Sequence, residues 1–278
     1  MARAVKALTA KQALVTLTRP GPHKVLRGDL GLIGLPGVIL TPAQGLGLPA
    51  VAFGHGWLQP ARRYLGLLKH LASWGIVVAA PGTHTGALPS HRLLAADLRT
   101  ALDVCTGVRL GEGQLSVHPE RLAVAGHSMG GGAAVLSAAE DERVRAVVTM
   151  ALSETRPSAL DAAHHCAMPG LHLSAVQDLV APTVGHVEPV AQAWAGPVQL
   201  RGITKATHLA FTEGRHWSDL LLDGRSHHTT QKLTKALTTA FLLRILTGTR
   251  AYSALLEEEV RGCTIDYTRG PLPTATHR

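Results

Sequence analysis

Cysteine is scarce in this chain. Cys105, Cys166 and Cys263 are spread over 278 residues, their number is odd and none forms C-x-x-C. That excludes a disulfide scaffold and fits a reducing compartment. Aromatic residues are few, with four tryptophans, three tyrosines and three phenylalanines. They are not interleaved with a dense basic cluster, so the net charge of +8 does not predict a nucleic-acid partner. No apolar run approaches the length of a membrane span, and no transmembrane segment is expected. Met1 to Arg27 holds no acidic residue. It also lacks a continuous apolar core and a small-residue cleavage site, so a secretory signal is not expected and a cytoplasmic location is. Much of the basic excess sits there and is expected as a solvated arm over residues 1–30. Arg62-Arg63 is read in the same way, as a solvated helix face.

Apolar residues make up 46% of the chain, enough for a sizeable core. Ala50 to Phe53, Ile76 to Ala80 and Leu122 to Ala125 are short apolar runs stopped by glycine or proline, as buried parallel strands would be. Further strands are expected at 37–40, 144–152, 171–176 and 198–203, and one near 13–17. Between them lie amphipathic stretches. Leu65, Leu68 and Leu71 share a helical face, as do Leu94, Leu98, Leu102, Cys105 and Val108, and a long closing helix spans 229–246. Strands alternating with helices predict an α/β fold with a mainly parallel central sheet and helices on both faces. No large lid domain is expected. One domain is predicted over 31–250, with a tail over 251–278 that carries a short acidic helix and a mobile Pro/Thr-rich end.

The densest chemical signal is Gly126-His127-Ser128-Met129-Gly130. It follows a strand and precedes a run of small residues that opens a helix. This is the strand–turn–helix setting in which a G-x-S-x-G serine projects its hydroxyl out of a sheet. The Met129 amide then lies at a helix start, where unpaired N–H groups favour negative charge. A nucleophile of this kind needs a base, and the base needs a carboxylate to orient it. Asp178 follows one strand and His208 follows the last, in the order serine, acid, histidine. Glu154 is a rival acid, and His216, His227 and His228 are rival bases. Gly54-His55-Gly56-Trp57 follows an early strand, where a second donor for an oxyanion would come from. His55 either donates there or packs beneath the loop. Phe211 and Trp217 are candidates for a substrate cleft or for ordinary packing. His164-His165-Cys166 diverges too sharply to hold one ion, and no metal is expected.

With these residues in view, the chain resembles the α/β-hydrolase superfamily, in particular the bacterial cutinase-like polyester hydrolases and the dienelactone-hydrolase branch. The matching stretches are Gly56-Trp57, Leu71 to Val78, the elbow through Gly132, Asp178 to Pro182, and Thr207-His208. The resemblance implies an α/β-hydrolase fold, hydrolysis of carboxylic esters without a cofactor, and a small-molecule ester as substrate. It implies Ser128, Asp178 and His208 as the catalytic set, the Trp57 and Met129 amides as the oxyanion hole, and the Trp57 ring on the acyl site. Ser153 falls near the position where polyester-degrading members carry a tryptophan. The tail has only Cys263 where those members usually close a disulfide. Both departures point away from a dedicated polymer degrader. Thioesterase, lactonase and acyltransferase chemistry remain open, as does a non-catalytic binding protein on the same fold. The sequence does not set the oligomeric state.

Overall fold

A computed structural model describes residues 7–107, 113–222 and 224–272. The strands are β1 (Val25–Asp29), β2 (Gly37–Pro42), β3 (Gly45–Gly54), β4 (Val77–Pro81), β5 (Leu115–His127), β6 (Val144–Met150), β7 (Gly170–Ala175), β8 (Val198–Ile203) and β9 (Cys263–Arg269). They form one sheet in the order β1-β2-β4-β3-β5-β6-β7-β8-β9. The stretch from β4 to β8 is parallel, and β1, β2 and β9 run antiparallel at the two edges. The helices are α1 (Ala10–Leu17), α2 (Leu65–Ser73), α3 (His91–Gly107), α4 (Met129–Ala139), α5 (Ala159–Ala163), α6 (Val187–Ala193), α7 (His228–Thr247) and α8 (Ser253–Glu257). None of the described helices is long and apolar enough to cross a membrane.

Strand alternation divides the core in two. Val51 and Phe53 of β3 face one helical layer, built on α1, α2, α7 and α8. Ala50 and Ala52 face the other, built on α3, α4, α5 and α6. Strands covered on both faces explain the unbroken apolar runs in the sequence. This is the α/β-hydrolase fold. Chain connections diverge from β3, which lies between β4 and β5. Ligands bind in open α/β sheets at such a switch point, beyond the carboxyl ends of the strands.

The two ends of the chain differ from expectation. The segment expected as a strand near Ala13 is the helix α1, opened by a reciprocal cap. The Gln12 amide donates to Thr9 Oγ1 at 3.3 Å and the Thr9 amide donates to Gln12 Oε1 at 3.1 Å. Ala10, Ala13 and Leu17 lie on one face and are buried, packed toward α7 and α8. From Ala10 to Leu17 the chain is therefore a docked helix and not a solvated arm. In the tail the short helix is present as α8, but it is followed by the strand β9, paired with β8. The buried Arg201 of β8 pins this segment by donating to the Leu255 carbonyl at 2.9 Å and the Glu258 carbonyl at 2.5 Å. Val108 and the last six residues of the expected mobile end lie outside the described residues.

Candidate active site

The elbow between β5 and α4 is tight enough to select its residue types. Ser128 has φ 56° and ψ −125°, a region that costs a non-glycine residue on the order of 1–3 kcal/mol. The surroundings hold it there. Its amide donates to the Met150 carbonyl at 2.9 Å, and its carbonyl accepts from Gly131 at 2.9 Å and from Ser153 at 3.1 Å. A Cβ on Gly126 would overlap the Gly130 carbonyl, and one on Gly130 would overlap the backbone of Gly54. The two glycines thus let α4 start directly against β3 and β5.

Three side chains meet at this turn. Ser128 Oγ lies 2.8 Å from His208 Nε2. His208 Nδ1 lies 2.8 Å from Asp178 Oδ2. The other carboxylate oxygen, Oδ1, accepts from the Val180 and Ala181 amides at 2.9 Å each. Asp178 follows β7, and His208 opens a short turn of 3-10 helix (His208–Phe211) after β8. All three residues are buried. Low local polarity strengthens such a line of hydrogen bonds, and the line can carry a proton off a serine hydroxyl and stabilise the imidazolium that results. Glu154, the rival acid, borders the same cleft, but its carboxylate accepts from the Leu160 amide at 3.3 Å and not from His208. His216 and His227 cap the turns that follow, through their ring nitrogens, and His228 is exposed.

The loop after β3 approaches from the other side. Among the described residues neither the Trp57 nor the Met129 amide has a protein acceptor. Both residues border a cleft of about 370 Å³ that also exposes Ser128 and His208. The Trp57 ring is held in place by donation from Nε1 to the Ala87 carbonyl at 3.0 Å. His55 packs beneath the loop, its ring nitrogens 2.9 Å from the Gly56 carbonyl and 2.6 Å from that of Thr83. The Gly56 amide donates to Tyr64 Oη at 3.0 Å, and Tyr64 Oη lies 2.9 Å from His127 Nδ1. His127 Nε2 lies 2.9 Å from the His208 carbonyl. Burial holds the His127 pKa well below the usual histidine value, and the neighbouring His208 adds to this. Neither Tyr64 nor His127 carries a motif that marks this role in the sequence.

Ser153 borders the cleft, together with Leu88, Val180 and Leu222. Phe211 and Trp217 do not. Phe211 is turned inward by the 3-10 helix and packs on His127 at 5.8 Å between ring centroids. Trp217 is 56% exposed and lies against His216, away from the cleft. Arg63, read as solvated, is buried and clasps the segment after His208. Its guanidinium donates to the Glu213 carbonyl at 3.1 Å, to Thr212 Oγ1 at 2.8 Å and to the carboxylate of Asp219. Among the described residues no group of three or more histidine, cysteine or acidic side chains is arranged to hold a metal ion.

Comparison with known proteins fits this geometry. The chain is 29% identical over 175 residues to cutinase est1 of Thermobifida alba, a match that covers 62% of this chain and 57% of that protein. It is 26% identical over 245 residues to cutinase est2 of the same organism, covering 86% of this chain and 74% of the relative. The chain thus spans little more than half of one of these relatives and about three quarters of the other. A family model described as PET hydrolase-like matches residues 37–217, a span that contains Ser128, Asp178, His208 and Trp57. The chain belongs to the PET hydrolase-like family of α/β-hydrolases.

Proposed function

We propose that the protein is a serine hydrolase that cleaves small-molecule carboxylic esters through an acyl-enzyme on Ser128. The observation that carries this reading is the unbroken line Ser128 Oγ, His208, Asp178, with both contacts at 2.8 Å. His208 Nε2 takes the hydroxyl proton as Oγ attacks the ester carbonyl carbon. Asp178 fixes the Nδ1–H tautomer and balances the imidazolium charge. The Trp57 and Met129 amides, without protein acceptors among the described residues, receive the oxyanion. Each such donor is worth about 10²–10³ in kcat. The tetrahedral intermediate collapses as His208 returns the proton to the leaving alkoxide. Water, deprotonated by the same imidazole, then attacks the acyl carbon and releases the acid and Ser128. The likeness to two proteins named cutinases supports ester chemistry. Ser153 stands on the cleft wall near the position where polyester-degrading members carry a tryptophan, which favours small esters over polymers.

The test uses a chain-length series of p-nitrophenyl esters and covalent labelling with a fluorophosphonate. Ser128→Ala is expected to abolish labelling and lower kcat by up to about 10⁶. A Ser128→Ala protein with wild-type turnover would sink the proposal.

A further inference from the structure

We infer that Tyr64 is a positioning residue for the reaction at Ser128, its hydroxyl tying the loop that carries the Trp57 amide to the main chain that carries His208. The inference rests on the ester-cleaving reading above. Its ground is a directional chain of hydrogen bonds. The Gly56 amide can only donate, so Tyr64 Oη accepts at that contact, 3.0 Å away. The single phenolic proton is then left for His127 Nδ1 at 2.9 Å. With Nδ1 accepting, the proton of a neutral imidazole sits on Nε2, which donates to the His208 carbonyl at 2.9 Å. One tautomer satisfies every group: the His208 carbonyl can only accept, so Nε2 carries the proton and Nδ1 accepts from the phenol.

Every member of the chain is buried. Tyr64 and His127 are fully buried and His208 is 1% exposed. Burial raises the Tyr64 pKa and keeps the hydroxyl protonated as a donor. The His127 ring lies 5.7 Å from Tyr64, 5.0 Å from His208 and 5.8 Å from Phe211, centroid to centroid. Gly56 completes the fit, because a Cβ there would stand 2.8 Å from His127 Nδ1. Three segments distant in sequence are thereby held together: the oxyanion loop, the elbow that presents His127 next to Ser128, and the turn that presents His208. Tyr64 touches neither the substrate nor the reacting atoms, so its effect passes through the placement of groups that do. Displacements well below 1 Å at such groups are enough to lower a rate.

Turnover of p-nitrophenyl butyrate is measured for wild type and Tyr64→Phe, and active sites are counted by stoichiometric fluorophosphonate labelling. A merely structural role would reduce the number of labelled sites and leave kcat per site unchanged. A positioning role lowers kcat per labelled site by about 10–100-fold, with KM within about threefold. His127→Gln and His127→Leu form the second arm. Glutamine can accept from the phenol and donate to the His208 carbonyl, so it is expected to recover at least about tenfold more kcat per site than leucine. If Tyr64→Phe does not fold, this pair decides. A kcat per site within twofold of wild type in Tyr64→Phe, or equal rates for the two His127 variants, overturns the proposal. A wild type that neither labels nor turns over overturns the ester-cleaving reading and this inference with it.

Discussion

Acidification from pH 7 to 4.5 asks three enclosed imidazoles to take up protons that the fold cannot solvate. His70 lies on the buried face of α2, with a pKa lowered to about 4, chiefly by burial and further by Lys235. His172 on β7 is lowered to about 3 by burial. His127 is held well below the usual value by burial and by His208. In the unfolded chain each would titrate near 6.5. Between the unfolded and folded values the unfolded state binds more protons, so this stability is fully present above about pH 6.5 and is lost as pH falls. Two pH units below 6.5 cost roughly 2–3 kcal/mol each for His70 and His172, on the order of 5 kcal/mol together, and His127 acts in the same direction. That reaches the lower end of the whole stability of a domain, about 5–15 kcal/mol. Urea melts at pH 7.5, 6.0, 5.0 and 4.5 should show a midpoint that falls steeply below pH 6.5. Substituting His172 by glutamine should make the fall shallower by about one proton. A midpoint unchanged between pH 7 and 4.5 would refute the account.

Two further outcomes follow from residues buried against expectation. Arg63→Lys replaces a three-way fork with one ammonium and leaves the Glu213 carbonyl and Asp219 poorly paired. A loss on the order of 3 kcal/mol is expected, read by thermal melting as a drop of about 6 °C. A shift under 2 °C would show that the 212–219 segment does not need the clasp. The three cysteines are buried, with burial pushing Cys105 and Cys166 up to about 12 and Cys263 up to about 11. Ellman's reagent should therefore titrate no thiol in the native protein within minutes and three after denaturation. A rapid native reaction would mean that one of these pockets opens.

Where the chemistry is local, the sequence was readable. The elbow is a five-residue signal because the strand, the turn and the helix that shape it are consecutive. Asp178 and His208 stand out as candidates because each directly follows an apolar run that ends at the same edge of the sheet. What escaped the reading depends on distant partners. Arg63 looks like any exposed cation until the segment after His208, some 150 residues later, folds over it. Tyr64 gains its meaning only from Gly56 and His127. Neither Phe211 nor Trp217 lines the cleft, because each sits on its own 3-10 turn, which points Phe211 into the interior and leaves Trp217 exposed. Two signals were present and could have been used. Thr9-Ala10-Lys11-Gln12 is a capping-box pattern that announces α1. In β9 the more buried Cys263, Ile265 and Tyr267 alternate with Thr264, Asp266 and Thr268, which is a strand period.

The docking of α1 on α7 and α8 has a consequence for biosynthesis. During translation α1 emerges more than 200 residues before the helices that cover it. At about 5–20 residues per second that interval is roughly 10–40 s. Throughout it, Ala10, Ala13 and Leu17 are an apolar stripe without a partner, and β8, once made, is a sheet edge until β9 follows some 60 residues later. The nascent chain is thus most open to chaperones, and to misassembly with other nascent chains, until α7, α8 and β9 have left the ribosome.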